Sequence, residues 1–245
     1  MKTYFESLSD VINFVEENQE PIIKEVGGYE YSNKPMHLVS RPTAERIVVH
    51  SLAAIAEYVK EQADSKDLFA GKFIINIVNP KEVTLLTELD SQTRKREKLL
   101  KANAYDCAPE FSRWLDLESF IIQLRSRFVQ NEDTEAILSA LGNIKKDEGV
   151  SITDDGFSQN VTTKKGIEFE NKTLPNPARL KPFRTFADVS QPESEYVLRV
   201  SDRLEVRLDE ADGGVWRIAA TENIKQYFEE HLAEAIAIGQ VVILG

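Results

Sequence analysis

A basic segment between residues 94 and 101 is the densest charge in the sequence. Five of its residues are positive and Glu97 is negative, which gives a net charge of +4. The positive residues are Arg94, Lys95, Arg96, Lys98 and Lys101. Side chains of this kind can neutralise the phosphates of a nucleic acid or a nucleotide. They can also form a solvated helix turn or edge strand that pairs with the protein's surplus carboxylates, and this interpretation is favoured because no aromatic residues accompany the segment.

Four carboxylates near the basic segment could serve a metal-dependent hydrolase, which needs little besides carboxylates and a lysine. They are Asp106, Glu110, Asp116 and Glu118. Asp116 and Glu118 also stand where a helix is predicted to begin, and acidic residues there cap the first turn and complement the helix dipole. Capping is the favoured interpretation.

A cysteine nucleophile or a zinc site would have to be built from one cysteine and three histidines. Cys107 needs a base beside it, and His37, His50 and His231 are all distant in sequence. The four residues also lack the ligand spacing of a zinc site. We therefore predict a packing role for Cys107 and no metal or cofactor, and a lone cysteine favours a reducing compartment.

Common nucleotide and acyl-transfer signatures are absent from the sequence. Neither the phosphate loop nor the dinucleotide-binding glycine pattern occurs, and there is no G-x-S-x-G motif. Together with the missing metal pattern, this favours a protein that is not an enzyme.

The composition excludes several classes of protein. The chain has 245 residues with 30 Lys and Arg against 41 Asp and Glu, a net charge of -11 that opposes attraction to a polyanion. A hydrophobic fraction of 42% is enough for a soluble globular protein. The N-terminus lacks an apolar signal stretch, and the longest uncharged run, 235–245, is well short of the roughly 20 residues that span a bilayer. Neither export nor membrane insertion is predicted.

The elements that must position these residues are mostly helical in the first half of the chain. Apolar residues recur at helical spacing in four stretches. These are 8–18 behind Ser7, a helix behind Ser51, 117–128 behind Asp116, and a short helix ended by Gly142. Runs at 46–49, 73–78 and 83–88 predict strands, the last two joined by a turn that contains proline.

From about residue 150 the apolar period changes to two. Alternation predicts strands up to 208, with another at 215–218, before a helix capped by Thr221 and a final strand at 240–244. A helix-rich N-terminal half with a short strand pair, followed by a β-meander, predicts an α+β fold rather than a doubly wound one. We expect a mixed region of helices and strands over residues 1–145 and a β-rich region with the C-terminal helix over residues 146–245, joined in one compact unit.

Several short motifs together resemble the YfdQ-like family of phage and prophage proteins. They are LDLESFI (115–121), SRFV (126–129), DDG (154–156), VT (161–162), KG (165–166), PNP (175–177), PFRTF (182–186), QPES (191–194) and EADGG (210–214). The resemblance covers most of the chain and implies a phage or prophage origin and synthesis in the cytoplasm of a bacterial host. The family is known chiefly as a domain of unknown function, so the resemblance implies no catalytic residues.

One of these motifs also indicates an interface. Phe183 and Phe186 flank Arg184, and aromatic residues and arginine dominate interface hot spots. With Trp216 they are the predicted interface residues, and a subunit interface is favoured over a nucleotide pocket.

We expect a non-enzymatic phage accessory protein that works as a homo-oligomer or as a self-assembling, shell-like structural protein. Its partners would be further copies of itself or a host or phage protein, and no membrane. The alternatives are a nucleic-acid or nucleotide-binding protein that assists phage recombination, replication or evasion of host defence, and a metal-dependent hydrolase. Residues 188–212 hold eight acidic and three basic residues, a net of -5, so this acidic segment is expected to meet the basic segment within or between subunits.

Overall fold

A computed structural model of the chain describes residues 7–26, 29–32, 44–61, 71–90, 94–144, 150–154, 159–165, 168–201 and 203–245. The chain divides into two units, Met1–Thr43 and Ala44–Gly245. Helices and strands are both present, which confirms the α+β prediction. The boundary near residue 145 remains a prediction.

The first unit contains a helix and a hairpin among its described residues. The helix α1 (Leu8–Asn18) begins with a capping box, in which the Ser7 hydroxyl accepts from the Asp10 amide and the Asp10 carboxylate accepts from the Ser7 amide. Its bounds and its cap are those predicted. The strands β1 (Ile23–Val26) and β2 (Tyr29–Ser32) form an antiparallel hairpin that was not predicted.

The second unit contains the remaining elements. In chain order they are β3 (Ile47–Val49), α2 (Leu52–Glu61), β4 (Phe73–Asn79), β5 (Glu82–Thr87), β6 (Lys98–Asn103), β7 (Leu115–Asp116), α3 (Leu117–Ser126), β8 (Phe128–Val129), α4 (Glu132–Ile144), β9 (Val150–Asp154), β10 (Gln159–Lys165), β11 (Glu168–Thr173), β12 (Ala178–Pro182), β13 (Ser194–Val200), β14 (Glu205–Glu210), α5 (Trp216–His231), α6 (Ala233–Ala237) and β15 (Val241–Leu244). The short strands β9, β10 and β11 form a separate antiparallel sheet.

The first sheet joins elements from both ends of the unit, in the order β15-β4-β5-β6-β3. Its outermost strands are parallel to their neighbours, whereas the central pairs are antiparallel. Residues of α2 and α5 pack on one face of this sheet and bury Ile75, Leu85 and Leu100. Alternation along each strand sends every second side chain to this core.

The second sheet has the order β7-β14-β13-β12-β8 and is antiparallel throughout. Its inner face packs on α3 and α4 through a second core that includes Phe120, Leu141 and Leu198. The outer face of this sheet carries ion pairs such as Arg179 to Glu195 at 3.4 Å. One face is therefore buried and the other is solvated, as predicted for the meander.

Three local predictions are wrong. Residues 215–218 begin α5 instead of forming a strand, so Thr221 lies inside that helix and does not cap it. A four-residue apolar run does not distinguish a strand from a helix. Gly142 lies inside α4 instead of ending it, because one internal glycine costs a helix only about 1 kcal/mol. The helix predicted over 117–128 stops at Ser126, and Phe128 belongs to β8.

Candidate functional site

Three of the motifs quoted above meet at a partly buried group of polar residues, which we call the Arg184 cluster. Its members are Arg184, Ser194, Tyr196, Glu210, Asp212 and Trp216. The second sheet supplies Ser194 and Tyr196 from β13 and Glu210 from β14, directly opposite Tyr196. The turn after β14 supplies Asp212, and α5 begins with Trp216.

Arg184 is the centre of the cluster and is 3% exposed. Its Nη1 donates to Tyr196 Oη at 3.0 Å and to Glu210 Oε1 at 2.6 Å, and its Nη2 donates to Ser194 Oγ. The Ser194 hydroxyl in turn donates to Asp212 Oδ2 at 2.5 Å. A buried guanidinium is costly unless it is paired and hydrogen-bonded, and these contacts supply both conditions.

Two guanidinium groups also lie against the ring of Trp216. Arg184 Cζ is 4.0 Å from the ring centroid and Arg217 Cζ is 4.8 Å from it. These are cation–π distances. Trp216 Nε1 and Arg184 Nε are both buried without a hydrogen-bond partner among the described residues. The stack fixes the first turn of α5 against the second sheet.

The environment of the cluster changes three pKa values. Burial lowers the pKa of the Arg184 guanidinium, although the charges of Glu210 and Asp212 oppose this effect. Burial raises the pKa of the Tyr196 hydroxyl. Burial also acts to raise the pKa of Asp212, but hydrogen bonds from the Ser194 hydroxyl and the Gly214 amide, with the charge of Arg184, outweigh it and leave that pKa below its usual value. The phenol stays neutral and the carboxylate stays ionised.

The loop that carries Arg184 also connects the second sheet to the first. The Thr185 hydroxyl donates to the carbonyl of Pro80 at 2.6 Å, and Phe186 is fully buried in the core of the first sheet. The Asp188 carboxylate accepts from the amides of Leu52 and Ala53 at 3.1 and 3.3 Å, so it caps α2 from 136 residues away. The cluster therefore anchors the loop that joins the two sheets.

The predicted interface residues differ in their exposure to solvent. Arg184 and Phe186 are buried, whereas Phe183 and Trp216 are partly exposed. Their role as an interface stays a prediction. The other members of the cluster were not predicted as site residues. The sequence contains a signal that could have identified them. A buried arginine requires a carboxylate partner, and the QPES and EADGG motifs supply Ser194, Glu210 and Asp212.

The basic segment leads into β6 instead of forming a helix turn. Arg94, Lys95 and Arg96 are exposed before the strand, and Lys98 and Lys101 lie on it. Two of these side chains have partners within the first sheet. Lys101 Nζ is 3.0 Å from Glu82 Oε2, and Arg96 donates to the carbonyl of Thr87 at 3.1 Å.

The four candidate carboxylates have individual roles instead of forming one site. Asp106 pairs with Lys81 at 2.7 Å, and this hydrogen bond holds the pKa of Asp106 below its usual value. Glu110 pairs with Arg113 at 2.9 Å. Asp116 accepts from the Ser119 amide, which confirms the predicted cap, and hydrogen bonding to Ser119 lowers its pKa. Glu118 is exposed. Within the described ranges no group of three or more His, Cys, Asp or Glu is arranged to hold a metal ion.

The prediction of a packing role for Cys107 is wrong. Cys107 is an exposed residue in the stretch that follows β6, so its thiol is not packed in a core. His50 stacks on Tyr105 with ring centroids 4.5 Å apart, and His231 stacks on Tyr227 at 4.0 Å. His37 lies outside the described residues.

The acidic segment is largely neutralised within the second unit. Glu193 pairs with Lys181, Glu195 with Arg179, Asp209 with Arg207 and Glu210 with Arg184. Arg179 faces Glu195 from the neighbouring strand, Arg207 and Asp209 share β14, and Arg184 reaches Glu210 from the connecting loop. Part of the acidic segment is therefore a set of local ion pairs. This leaves it little charge with which to attract the basic segment.

The first sheet has a second face, opposite α2 and α5, which we call the open face. Its side chains form two rows across the strands. One row is Lys98, Leu86, Ile74 and Val242, and the other is Val48, Lys101, Thr84, Asn76 and Leu244. Except for Thr84, these side chains are partly or fully exposed. In both rows the lysine lies on β6, and an aliphatic residue of β15 lies at the far end.

Comparisons of the chain with protein-family models, with curated proteins and with solved structures find no match. The YfdQ-like resemblance therefore stays a prediction that rests on its motifs. Among the described residues, no helix has the length and apolar character needed to cross a membrane.

Proposed function

We propose that this chain is a non-enzymatic accessory protein of a phage or prophage that works as a homo-oligomer in the cytoplasm of the bacterial host. The open face is the observation that carries the oligomeric part of this proposal. The origin and the compartment rest on the motif resemblance and on the single cysteine. A shell-like assembly would be a much larger homo-oligomer of the same chain.

The open face supports association because of its composition and its strand pattern. Ile74, Leu86 and Val242 are directly opposite one another in register, which makes a continuous apolar band across three strands. Val242 is exposed and Ile74 and Leu86 are partly exposed, and contiguous apolar surface that solvent reaches marks interaction sites.

The Arg184 cluster supports a structural role over a catalytic one. Ser194 is buried, and its hydroxyl is engaged both by Arg184 and by Asp212. A nucleophile needs a nearby base and room for a substrate. In this cluster the Ser194 hydroxyl, Arg184 and Asp212 instead connect α5 and the connecting loop to the second sheet.

The test is the solution mass over a range of protein concentrations. Light scattering from about 1 to 100 µM should show a mass above the 27.8 kDa of one chain that rises with concentration. A strict monomer over this range refutes the proposal. Particles in electron micrographs would identify the shell-like form.

Nucleic-acid binding is the second candidate, and the exposure of Arg94, Lys95 and Arg96 is the observation that favours it. Reversing all three to Glu should abolish binding that weakens steeply with salt. The matched control reverses Arg113, Arg125 and Arg179, which are exposed arginines outside the basic segment. An equal loss in the control, or no binding by the unmodified protein, removes this candidate.

A further inference from the structure

The helix α1 carries an apolar stripe that the described structure leaves exposed. Leu8, Val11, Ile12 and Val15 follow the three- and four-residue spacing of one helix face. Leu8 is 78% exposed and Ile12 is 49% exposed. A helix of this kind gains most of its stability by burying its apolar face. The stripe therefore requires a partner surface.

The charge of α1 restricts what that partner is. The helix contains Asp10, Glu16 and Glu17 and no basic residue. Two such helices packed against each other would bring six carboxylates together, and like charges across a contact are unfavourable. The partner surface should instead be apolar and carry positive charge.

The open face has both properties and a suitable size. Its apolar band ends at Lys98 of β6, which is exposed, whereas Lys101 is already paired with Glu82. The 11 residues of α1 span about 16 Å at 1.5 Å per residue. The four strands from β15 to β6 span about 14 Å at their usual spacing of about 4.8 Å. One helix of this length therefore covers the band.

We propose that α1 of one copy docks on the open face of the first sheet in a second copy, and that the second copy returns the same contact. The apolar stripe lies on the band formed by Ile74, Leu86 and Val242, and Glu16, which flanks the stripe, lies towards Lys98 of β6. This inference rests on the proposed homo-oligomer and names the surfaces that form it. A reciprocal contact of this kind closes a dimer with two-fold symmetry and doubles the buried area.

The test uses two variants that each remove one surface. The stripe variant is Leu8→Gln, Ile12→Gln and Val15→Gln, which keeps good helix formers in α1. The face variant is Leu86→Thr, Val242→Thr and Leu244→Thr, which places β-branched residues, good strand formers, at all three positions. Ile218→Gln is the matched control, because Ile218 is an exposed apolar residue of α5 outside both surfaces. Circular dichroism checks that every variant folds.

We expect each variant alone to raise the dissociation constant by at least about 100-fold, because several apolar contacts are lost together. The control should associate like the unmodified protein. An equimolar mixture of the two variants should recover dimers, since the intact helix of one variant can dock on the intact face of the other. These mixed dimers should be weaker than the unmodified dimer, because they retain only one of its two contacts.

Other outcomes overturn the inference in distinguishable ways. If only the stripe variant dissociates, α1 pairs with a surface other than the open face. If only the face variant dissociates, the open face has another occupant. If both variants dissociate but their mixture stays monomeric, helix and face do not contact each other. In these cases, and if neither variant dissociates, the homo-oligomer stands without this contact, whereas a monomeric unmodified protein removes both proposals.

Discussion

Replacing Glu210 with Gln tests whether the Arg184 cluster holds the second unit together. Glu210 Oε1 is 2.6 Å from Arg184 Nη1, and the arginine is almost completely buried. Breaking a fully buried pair by removing one partner costs about 3–5 kcal/mol, because the remaining charge is left uncompensated. Glu210 is 30% exposed and Asp212 remains near the guanidinium, so we expect the free energy of unfolding to fall by about 2 kcal/mol.

The assay is unfolding by urea, together with a thermal scan. For a chain of this size, about 2 kcal/mol lowers Tm by about 4–8 °C. The matched control is Glu195→Gln, which removes an exposed ion pair on the same sheet and should cost at most about 1 kcal/mol. The double variant Arg184→Met with Glu210→Gln should be less destabilised than the sum of its single changes, because it leaves no unpaired buried charge.

Two results would refute this reasoning. If Glu210→Gln costs no more than Glu195→Gln, the Arg184 pair contributes no more than a surface pair. If the double variant is strictly additive, the two residues act independently and do not form one network.

Three further predictions concern the same connecting region. Asp212 has a lowered pKa in the folded protein, so its contribution to stability is present above the unfolded pKa of about 3.9 and is lost as the pH falls through the folded value. In urea unfolding at a series of pH values, the stability of Asp212→Asn should therefore fall less at acid pH than that of the unmodified protein. Tyr196 has a raised pKa, so its contribution is present below the unfolded pKa of about 10 and declines above it, and Tyr196→Phe should flatten the alkaline limb of the same titration. Asp188→Ala should lower the free energy of unfolding by about 1 kcal/mol, because it removes the cap of α2. Ser51 also accepts from an amide of α2, so Ser51→Ala is the comparison, and we expect it to cost less. Equal losses in urea unfolding would contradict the view that the distant carboxylate is the more important cap.

Local signals predicted the parts of the fold that depend on nearby residues. The Ser7 cap of α1, the Asp116 cap of α3 and the final strand all follow from residue type and short-range spacing. The start of helix α5 was misplaced because its first residue, Trp216, is held by stacking on Arg184, which is a tertiary contact. Capping of α2 by Asp188 could not be predicted, since nothing in the local sequence indicates a contact across 136 residues.

Charge counting located the basic segment correctly but misinterpreted the acidic one. A count of carboxylates does not show which neighbour each of them meets, and strand register decides this. Register places Glu195 opposite Arg179, so a carboxylate that belongs to an acidic cluster in the sequence is paired with a basic residue in the sheet. On β6, Lys101 is likewise paired with Glu82, whereas Lys98 lies opposite the apolar Leu86.

The net charge of -11 makes salt a means of separating the two candidate functions. Two copies with the same large charge repel each other over distances longer than the Debye length, which is about 10 Å at 0.1 M salt. Moderate salt therefore screens the repulsion between copies, while the apolar part of the contact between α1 and the open face is not weakened by screening. Nucleic-acid binding through the basic segment changes in the opposite direction, because salt removes the gain from counterion release. Self-association should thus strengthen between about 20 and 150 mM salt over the same range in which binding to nucleic acid would weaken.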